Sequence, residues 1–275
     1  MTGPRVTIGV PVYNGASMLE ESLAGLRAQS FTSFEVIITD NASTDATPEI
    51  AARTCAADNR FRLVGQTENL GALGNFRVAL WEAQAPLFLW RSYDDLFDNR
   101  YIERLVTCLD QAPGAVLAAP HVETLRVGTG RRRTRPVARL QAGKPGPLIV
   151  LRACQAGWIY GLWRTDHLRE AFDWAVGAID PHVWGWDHLA LFPAILKGGI
   201  AFENKARLML RLNRAIAKEK RPDGKVQLRD LAIRYRAACD ALIDAQGLGG
   251  LARLRMRRAV RAHINRRIAS IWKRM

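Results

Sequence analysis

Long apolar runs are absent from this sequence, and none approaches the roughly 20 residues that a membrane-spanning helix needs. The first residues, Met1–Arg5, carry no apolar signal-peptide segment, so the expected location is the cytoplasm. Cysteine is also scarce, with four residues and no C-x-x-C pair. The four thiols are therefore expected to be reduced and mostly buried rather than part of a disulfide framework or a metal site.

Acidic residues are missing from the C-terminal segment, residues 251–275, which contains nine Arg or Lys. A second basic cluster comprises Arg131, Arg132, Arg133 and Arg135, and the chain of 275 residues has a formal charge of +14. This charge predicts an anionic partner, which is a nucleotide, a nucleic acid or an acidic bilayer surface. The length fits one domain with a large core, alone or with an appendage.

Strand and helix patterns alternate through about residue 120. Apolar or β-rich runs predict strands at Val6–Val12, Phe34–Thr39, Arg62–Gly65, Pro86–Trp90 and Ala115–Ala119. Segments with helical spacing of apolar residues separate these strands, which is typical of a mostly parallel sheet covered by helices on both faces. The sequence therefore predicts an α/β fold.

The pattern loosens beyond residue 120, and the predicted elements there are less regular. We predict an exposed loop over Gly128–Pro147, a buried strand over Gly157–Trp163, a helix over Gly185–Leu196, short strands over Ile200–Phe202 and Leu208–Leu212, and two helices from Val226 onward that are split at Gly247–Gly250.

Polar residues follow four of the predicted strands: Asn14, Asp40, Asn69, and the pair Asp94-Asp95. Because ligands bind at the carboxyl ends of parallel strands, these residues predict a binding site at one edge of the sheet. Two neighbouring carboxylates at the end of a buried strand are costly without a positive charge, which a divalent cation carrying a phosphate would supply.

The carboxylate pair also has a second interpretation, as the start of a helix. A helix is predicted from about Tyr101, and Asp98 or Asn99 could cap it while its dipole favours the preceding acids.

Four motifs in order resemble those of family 2 glycosyltransferases: Val10–Gly15, Glu35–Asp45, Asn69–Gly71 and Asp94-Asp95. The resemblance implies a GT-A, Rossmann-like fold, with a mostly parallel central sheet flanked by helices, over residues 1–213. Its nucleotide-sugar half would span about 1–120 and its acceptor half about 121–213, followed by a basic helical extension over 214–275. The implied reaction is inverting transfer from a nucleotide-diphosphate sugar, with Mn²⁺ or Mg²⁺ as cofactor.

The resemblance assigns nucleotide binding to Pro11, Tyr13, Asn14, Asp40, Asn69, Ser92 and Asp94. The loop up to Gly15 can place backbone groups against a base, since glycine tolerates close approach. Asp40 is a natural acceptor for a pyrimidine N–H, which favours a UDP-sugar and leaves GDP- and dTDP-sugars as alternatives. Asp45 either assists it or starts a helix.

The same resemblance makes Asp95 the first metal ligand and Asp94 its support. Ser92 stands where the family often has an acid that contacts the ribose, and its hydroxyl could make that contact instead. Asn213 stands where many relatives have a further metal-binding His, in which case Arg211 or Arg214 could contact the diphosphate.

Asp187, in the stretch Trp184–His188, resembles the family's later acid and is the predicted catalytic base for the acceptor hydroxyl. Trp184 and Trp186 suit an acceptor sugar, since aromatic faces stack on sugar rings. A helix-capping role for Asp187 is the alternative, and His188 and Asp180 are weaker candidates for the base.

Apolar residues recur at helical spacing in the basic tail: Val260, Ile264, Ile268, Ile271, Trp272 and Met275. Such a helix suits an anionic membrane surface on the inner face of the cytoplasmic membrane, or the apolar stripe packs on the domain. Saccharide or lipid-linked acceptors, as in bacterial surface polysaccharide or glycolipid assembly, are the expected partners.

Three other functions compete with sugar transfer. A nucleotidyltransferase would need a basic Gly-rich loop after the first strand, and Pro11–Gly15 has no basic residue. Nucleic-acid binding through the basic segments leaves the strand-end motifs without a purpose, so nucleic acid is not the expected partner. A catalytically silent nucleotide-sugar-binding domain would explain Ser92 and Asn213.

Overall fold

The computed structural model describes residues 3–143, 145–212 and 224–272, with side chains described as far as residue 266. The chain divides into two compact units. The first unit comprises residues 1–142, 157–169 and 200–213, and the second comprises 143–156, 170–199 and 214–275.

The first unit is built on a mixed sheet, and the first four strands of the chain form its parallel part. Its strands are Val6–Val12 (β1), Phe34–Asp40 (β2), Phe61–Gly65 (β3) and Leu87–Trp90 (β4). They lie in the order β3-β2-β1-β4, all parallel. Every residue of β1 is buried, because helices cover both faces of a central parallel strand.

The rest of the sheet contains the antiparallel pairings. Its strands are Leu96–Phe97 (β5), Leu117–Arg126 (β6), Arg132–Arg135 (β7), Leu162–Arg164 (β8) and Ile200–Leu212 (β9). The order continues from β4 as β8-β6-β9-β5, with β7 paired to β6. β6 and β9 run parallel, and the other pairs beyond β4 are antiparallel.

The helices of the first unit connect the strands. They are Ala16–Arg27 (α1), Thr47–Ala57 (α2), Gly71–Trp81 (α3), Tyr101–Asp110 (α4) and Ala138–Ala142 (α5), with a 3₁₀ turn at Ala156–Tyr160. α1 buries Leu19, Leu23 and Leu26, as their helical spacing predicts.

Within the described residues, the second unit is helical. Its helices are Pro147–Ala153 (α6), Trp186–Ala190 (α8), Phe192–Leu196 (α9), Lys225–Ala245 (α10) and Gly250–Trp272 (α11), and Thr165–Ile179 (α7) contributes to both units. α11 packs against α10 and α6.

The α/β fold is confirmed, and so is the split between the last two helices. The five strands predicted in the first 120 residues correspond to β1, β2, β3, β4 and β6, whereas β5 was not predicted. Three predictions beyond residue 120 are wrong. The predicted loop Gly128–Pro147 contains β7 and α5, the predicted strand Gly157–Trp163 is mostly a 3₁₀ turn, and the predicted helix Gly185–Leu196 is two short helices. Pro193 lies in the first turn of α9, where a proline is tolerated but cannot continue a preceding helix.

The two short strands predicted near residue 205 form one continuous strand, β9. The register between β6 and β9 shifts at Pro120 and His121, where β9 passes through its polar residues Glu203–Lys205. The alternation of apolar and polar residues is interrupted at this irregularity, so the sequence pattern predicted two strands instead of one.

No helix among the described residues is both long enough and apolar enough to cross a membrane.

Candidate functional site

The predicted binding edge lies at the carboxyl ends of β1, β2 and β4 in the first unit. Val12 at the end of β1 is in register with Asp40 at the end of β2, and Gly9 is in register with Trp90 at the end of β4. The loops that follow these three strands therefore start from neighbouring positions on the sheet.

The loop after β1 is tied to the loop after β2 through Asn14. The backbone N–H of Asn14 donates to Ser43 Oγ at 2.9 Å, and its side-chain Oδ1 accepts from the N–H of Thr44 at 2.8 Å. Asn14 has a positive φ of 48°, a conformation that asparagine tolerates better than most residues. Asn14 therefore has a structural role in joining the loops.

Gly15 packs closely against two side chains of the protein. A Cβ at this position would lie 2.5 Å from Val12 Cγ2 and 2.7 Å from the ring of Tyr93. Glycine is needed here because two side chains of the protein already occupy that space.

Asp45 is a helix-start residue. Its carboxylate accepts from the N–H of Ala16 at 3.1 Å and from the N–H of Thr47 at 3.0 Å, at the starts of α1 and α2. Burial raises the pKa of Asp45, but hydrogen bonds from Thr47 and Ala16 outweigh it and hold the pKa below its usual value. The helix-start alternative therefore accounts for this residue.

Asn41 organises the loop between β3 and α3, and no role was predicted for it. Its Nδ2 donates to Asn69 Oδ1 at 2.8 Å, and its Oδ1 accepts from the N–H of Leu70 at 2.9 Å. Asn69 Oδ1 also accepts from the N–H of Gly71. Asn41 is only 2% exposed, so this network fixes Asn69 at the edge of the site from within.

Asp40 carries a buried acceptor at the carboxyl end of β2. Its Oδ2 accepts from the N–H of Ser43 at 3.2 Å, whereas Oδ1 is buried and has no hydrogen-bond partner among the described residues. Buried polar atoms in native proteins nearly always have a partner, so an open acceptor at a strand end indicates a ligand contact. Nearby, the side chain of Tyr13 is 43% exposed and available for stacking.

Asp94 and Asp95 follow β4 and differ in their surroundings. Asp95 is 5% exposed, and its Oδ1 accepts from the backbone N–H of Arg211 at 2.9 Å. The hydroxyl of Ser92 donates to Asp94 Oδ1. Ser92 thus supports Asp94, a contact that the strand-end motif did not predict.

Arg211, on β9, holds the carboxylate pair in place. Its Nε donates to the carbonyl oxygen of Asp94, and its Nη1 forms an ion pair with Glu21 at 2.7 Å. Its Nη2 is buried and has no partner within the part of the chain that the structure describes. Arg211 therefore holds the loop after β4 and keeps one buried donor open.

Arg91 supplies a second positive charge and is completely buried. Its Nε donates to Ser22 Oγ at 3.0 Å, and its guanidinium lies 4.2 Å from the centre of the Phe97 ring. Burial lowers the pKa of Arg91 to about 10, although the charge of Asp95 acts in the opposite direction. Arg91 therefore remains charged at neutral pH. Sequence patterns did not reveal it, because arginine in a strand-end loop is normally exposed.

The charges of Arg91 and Arg211 do not fully offset the cost of burying the charged form of Asp95. Burial, with the charge of Asp94 as the second cause, raises the pKa of Asp95 to about 8, although the Arg211 hydrogen bond and both guanidinium charges lower it. The positive charge around Asp95 is therefore too small to keep it ionised at neutral pH. Carboxylate oxygens in such surroundings fit a hard divalent cation such as Mg²⁺ or Mn²⁺.

Three predicted acceptor-side residues lie in the second unit: Asp187, Trp184 and Trp186. Asp187 is in the first turn of α8, and its Oδ1 accepts from the N–H of His188 at 2.7 Å. The Trp186 ring packs edge-on against Phe172 of α7, with ring centroids 5.1 Å apart. Trp184 and Asp187 are both half-buried. The predicted residues Asn213 and Arg214 lie outside the described residues.

The family model described as glycosyl transferase family 2 matches residues 7–174, which is more than half of the chain. The matched segment includes the strand-end residues Asn14, Asp40, Asn69, Asp94 and Asp95.

Two curated relatives are named as glycosyltransferases. EpsH of Bacillus subtilis (strain 168) is 32% identical over 107 residues, which are 38% of this chain and 30% of EpsH. AglD of Haloferax volcanii is 32% identical over 192 residues, which are 67% of this chain and 30% of AglD. The chain spans roughly a third of the length of the curated relatives it matches.

Solved structures of S. aureus TarS have a similar fold. A TarS fragment crystallised with UDP-GlcNAc gives a TM-score of 0.71 at 17% identity and covers 96% of this chain and 73% of that chain. The same fragment with UDP gives a TM-score of 0.61 at 16% identity and covers 87% of this chain and 70% of that chain. These likenesses establish the fold.

Asp95→Asn should flatten the pH dependence of stability in the metal-free protein. The pKa of Asp95 is about 8 in the folded chain, whereas an unfolded aspartate titrates near ~3.9. Between these values the folded state keeps a proton that the unfolded state has released. The free energy of unfolding therefore falls as pH rises, by up to about 1.4 kcal/mol per pH unit, and asparagine removes this contribution. Thermal unfolding in chelator across this range measures the slope.

The matched control is Asp166→Asn, because the Asp166 side chain is 87% exposed. This variant should keep the wild-type slope. If the stability of Asp95→Asn fell with pH as steeply as that of the wild type, Asp95 would not be a buried carboxylate with a raised pKa.

Proposed function

The chain belongs to glycosyl transferase family 2, and we propose that it moves a sugar from a UDP-sugar to an acceptor hydroxyl with inversion at the anomeric carbon. The observation that carries this proposal is the buried, open acceptor Oδ1 of Asp40 at the carboxyl end of β2. The family assignment favours sugar transfer over nucleotidyl transfer.

Uridine recognition by Asp40 follows from the chemistry of the base. A pyrimidine N–H is a donor that suits one open carboxylate oxygen, and such charge-assisted hydrogen bonds are strong. The exposed ring of Tyr13 would stack on the base, and Pro11 and Asn14 shape the same loop. The TarS structures with UDP-GlcNAc and UDP support a uridine nucleotide by analogy of fold alone.

Diphosphate binding is assigned to the loop after β4 and to Arg211. Mn²⁺ or Mg²⁺ held by Asp95 and Asp94 would neutralise the charge that develops on the departing nucleoside diphosphate. Arg211 Nη2, a buried donor, would contact a diphosphate oxygen directly. The O–H of Ser92 donates to Asp94, and its oxygen keeps lone pairs that can accept from a ribose hydroxyl.

Transfer proceeds as one in-line displacement. The bond between the acceptor oxygen and the anomeric carbon forms while the bond from that carbon to the phosphate oxygen breaks, and its electron pair leaves with UDP. Asp187 takes the proton of the acceptor hydroxyl. His188 is a poorer base because it is 5% exposed and its Nδ1 lies 3.5 Å from Cys154 Sγ. Trp184 and Trp186 would line the acceptor position.

A saccharide or lipid-linked acceptor at an anionic membrane surface, as in bacterial surface polysaccharide or glycolipid assembly, fits the charge of α11. Its side chains Met256, Val260 and Ile264 are buried, so this part of the apolar stripe is used for packing. Arg255, Arg258, Arg261 and Arg266 are exposed on the same helix. Exposed arginines on a packed helix support peripheral binding through charge rather than through insertion.

Asp40→Asn should weaken UDP binding by about 10- to 100-fold, because a hydrogen bond to a charged group contributes about 1.5–3 kcal/mol. Isothermal titration with UDP measures the dissociation constant. Glu35→Gln is the control, since Glu35 lies at the opposite end of β2 and pairs with Thr7. Equal UDP affinity in Asp40→Asn and Glu35→Gln would remove Asp40 from base recognition.

Asp187→Asn should abolish sugar transfer and leave UDP binding unchanged, because the amide cannot accept the acceptor's proton. Asp180→Asn tests the rival acid before α8 and should retain activity. Turnover with a saccharide acceptor and titration with UDP separate the two effects. Wild-type turnover in Asp187→Asn would exclude it as the base.

Substituting Arg255, Arg258 and Arg261 by Gln should weaken binding to anionic phospholipid vesicles by roughly 100-fold at low salt, at about 1 kcal/mol per arginine. The control replaces Arg131, Arg132 and Arg133 by Gln. These arginines are also exposed, and their substitution removes the same amount of charge. Deleting residues 251–275 is a poorer test, because it also removes buried Val260 and Ile264. Equal losses in both triple variants would show that only net charge matters.

A further inference from the structure

Three side chains with metal-binding atoms come together inside the second unit. Cys154 follows α6, His188 lies on α8, and His263 lies on α11. One ligand atom from each side chain lies within 4.8 Å of the other two. Sequence patterns do not indicate this cluster, because its members are far apart in the chain and match no spaced metal motif.

The separations within the cluster suit a tetrahedral metal ion. Cys154 Sγ lies 3.5 Å from His188 Nδ1, and the rings of His188 and His263 have centroids 5.2 Å apart with an angle of 57° between their planes. Bond lengths of about 2.3 Å to sulfur and 2.0–2.1 Å to nitrogen, at tetrahedral angles, place the sulfur and a nitrogen about 3.5 Å apart. Cys154 and His188 already have this separation, and a ligand atom of His263 lies within 4.8 Å of both.

The two histidines of the cluster are buried. His188 and His263 are each 5% exposed, and their neighbours along the chain, Leu189 and Ile264, are buried. Imidazole nitrogens and a thiolate are the ligand types that zinc binds in proteins. Coordination of a metal would engage one nitrogen of each ring and the thiol together.

We propose that Cys154, His188 and His263 form a Zn²⁺ site, separate from the carboxylate site in the first unit. One thiolate and two imidazoles are soft or borderline ligands, which select zinc over the hard ions Mg²⁺ and Mn²⁺. The cluster offers three protein ligands among the described residues, so a water completes the tetrahedron. Binding releases the thiol proton to solvent, since the thiolate is the ligand.

The ion links three helices that are far apart in sequence. Zn²⁺ at this position joins the end of α6, the short helix α8 and the long helix α11, and it thereby fixes the helix on which Asp187 lies. Because the folded state binds the ion and the unfolded chain lacks the arranged site, Zn²⁺ stabilises the second unit by mass action. This role does not depend on the proposed sugar transfer.

Cobalt substitution tests the site directly. The full chain is stripped with a chelator, kept reduced with a phosphine, and titrated with Co²⁺ in excess Mg²⁺ while absorbance is recorded. The wild type should bind one Co²⁺ with a thiolate-to-cobalt charge-transfer band and intense tetrahedral d–d bands, and one Zn²⁺ should displace it. Cys154→Ser should lose the charge-transfer band, and His263→Gln should weaken Co²⁺ binding by at least about 100-fold, since even indirect metal partners contribute 10- to 100-fold.

Matched controls separate the site from incidental binding. Cys55→Ser and His167→Gln alter a half-buried thiol and an exposed imidazole outside the cluster and should keep the wild-type spectrum. Zn²⁺ should raise the melting temperature of the wild type and of both controls, but not of Cys154→Ser or His263→Gln. Circular dichroism of the metal-free variants confirms that they fold.

Two results would overturn the proposal. One is a wild-type titration without a stoichiometric charge-transfer band, which would mean that Cys154 and His188 share only a thiol–imidazole hydrogen bond. The other is an unchanged band in Cys154→Ser, which would place the metal at a different cysteine.

Discussion

The arrangement of the candidate site depends on the hydrogen bonds between Arg211 and the loop after β4. Arg211 bonds the carboxylate of Asp95 through its backbone and the carbonyl of Asp94 through its side chain, while its other end pairs with Glu21 on α1. A strand from late in the chain thus fixes two residues from its first half. Without this contact Asp95 would be a buried carboxylate that lacks its backbone hydrogen bond, next to the half-buried Asp94.

The site is assembled at a cost in stability that its ligands are suited to offset. Asp95 is buried beside another carboxylate. Its pKa stays raised, although the charges of Arg91 and Arg211 lower it. Asp40 keeps a buried oxygen without a protein partner among the described residues. Both features destabilise the ligand-free chain, and the proposed cation and nucleotide would relieve them, which is the usual relation between stability and function at a binding site.

The sequence predicted the parts of this site that depend on local pattern. β1, β2 and β4 are short apolar runs that end in polar residues, so local pattern alone places Asn14, Asp40 and Asp95 at one edge of the sheet. Arg91 and Asn41 had no predicted role, and Arg211 was predicted only as a diphosphate contact. Their hydrogen bonds within the site were not predictable, because they arise from contacts between distant segments. The 3₁₀ turn at Ala156–Tyr160 was mistaken for a strand because a short apolar run has no period that separates the two. The cluster around Cys154 was missed since helix packing alone brings its members together.

A thermal-shift titration tests the central claim, that the carboxylates after β4 hold a divalent cation which binds the diphosphate of a nucleotide sugar. The wild type and Asp95→Ala are each heated with UDP-, GDP- and dTDP-sugars, with and without Mn²⁺. We predict that a UDP-sugar stabilises the wild type far more with Mn²⁺ than without it, and that Asp95→Ala loses this difference. Stabilisation by no nucleotide sugar, or an intact Mn²⁺ effect in Asp95→Ala, would contradict the claim.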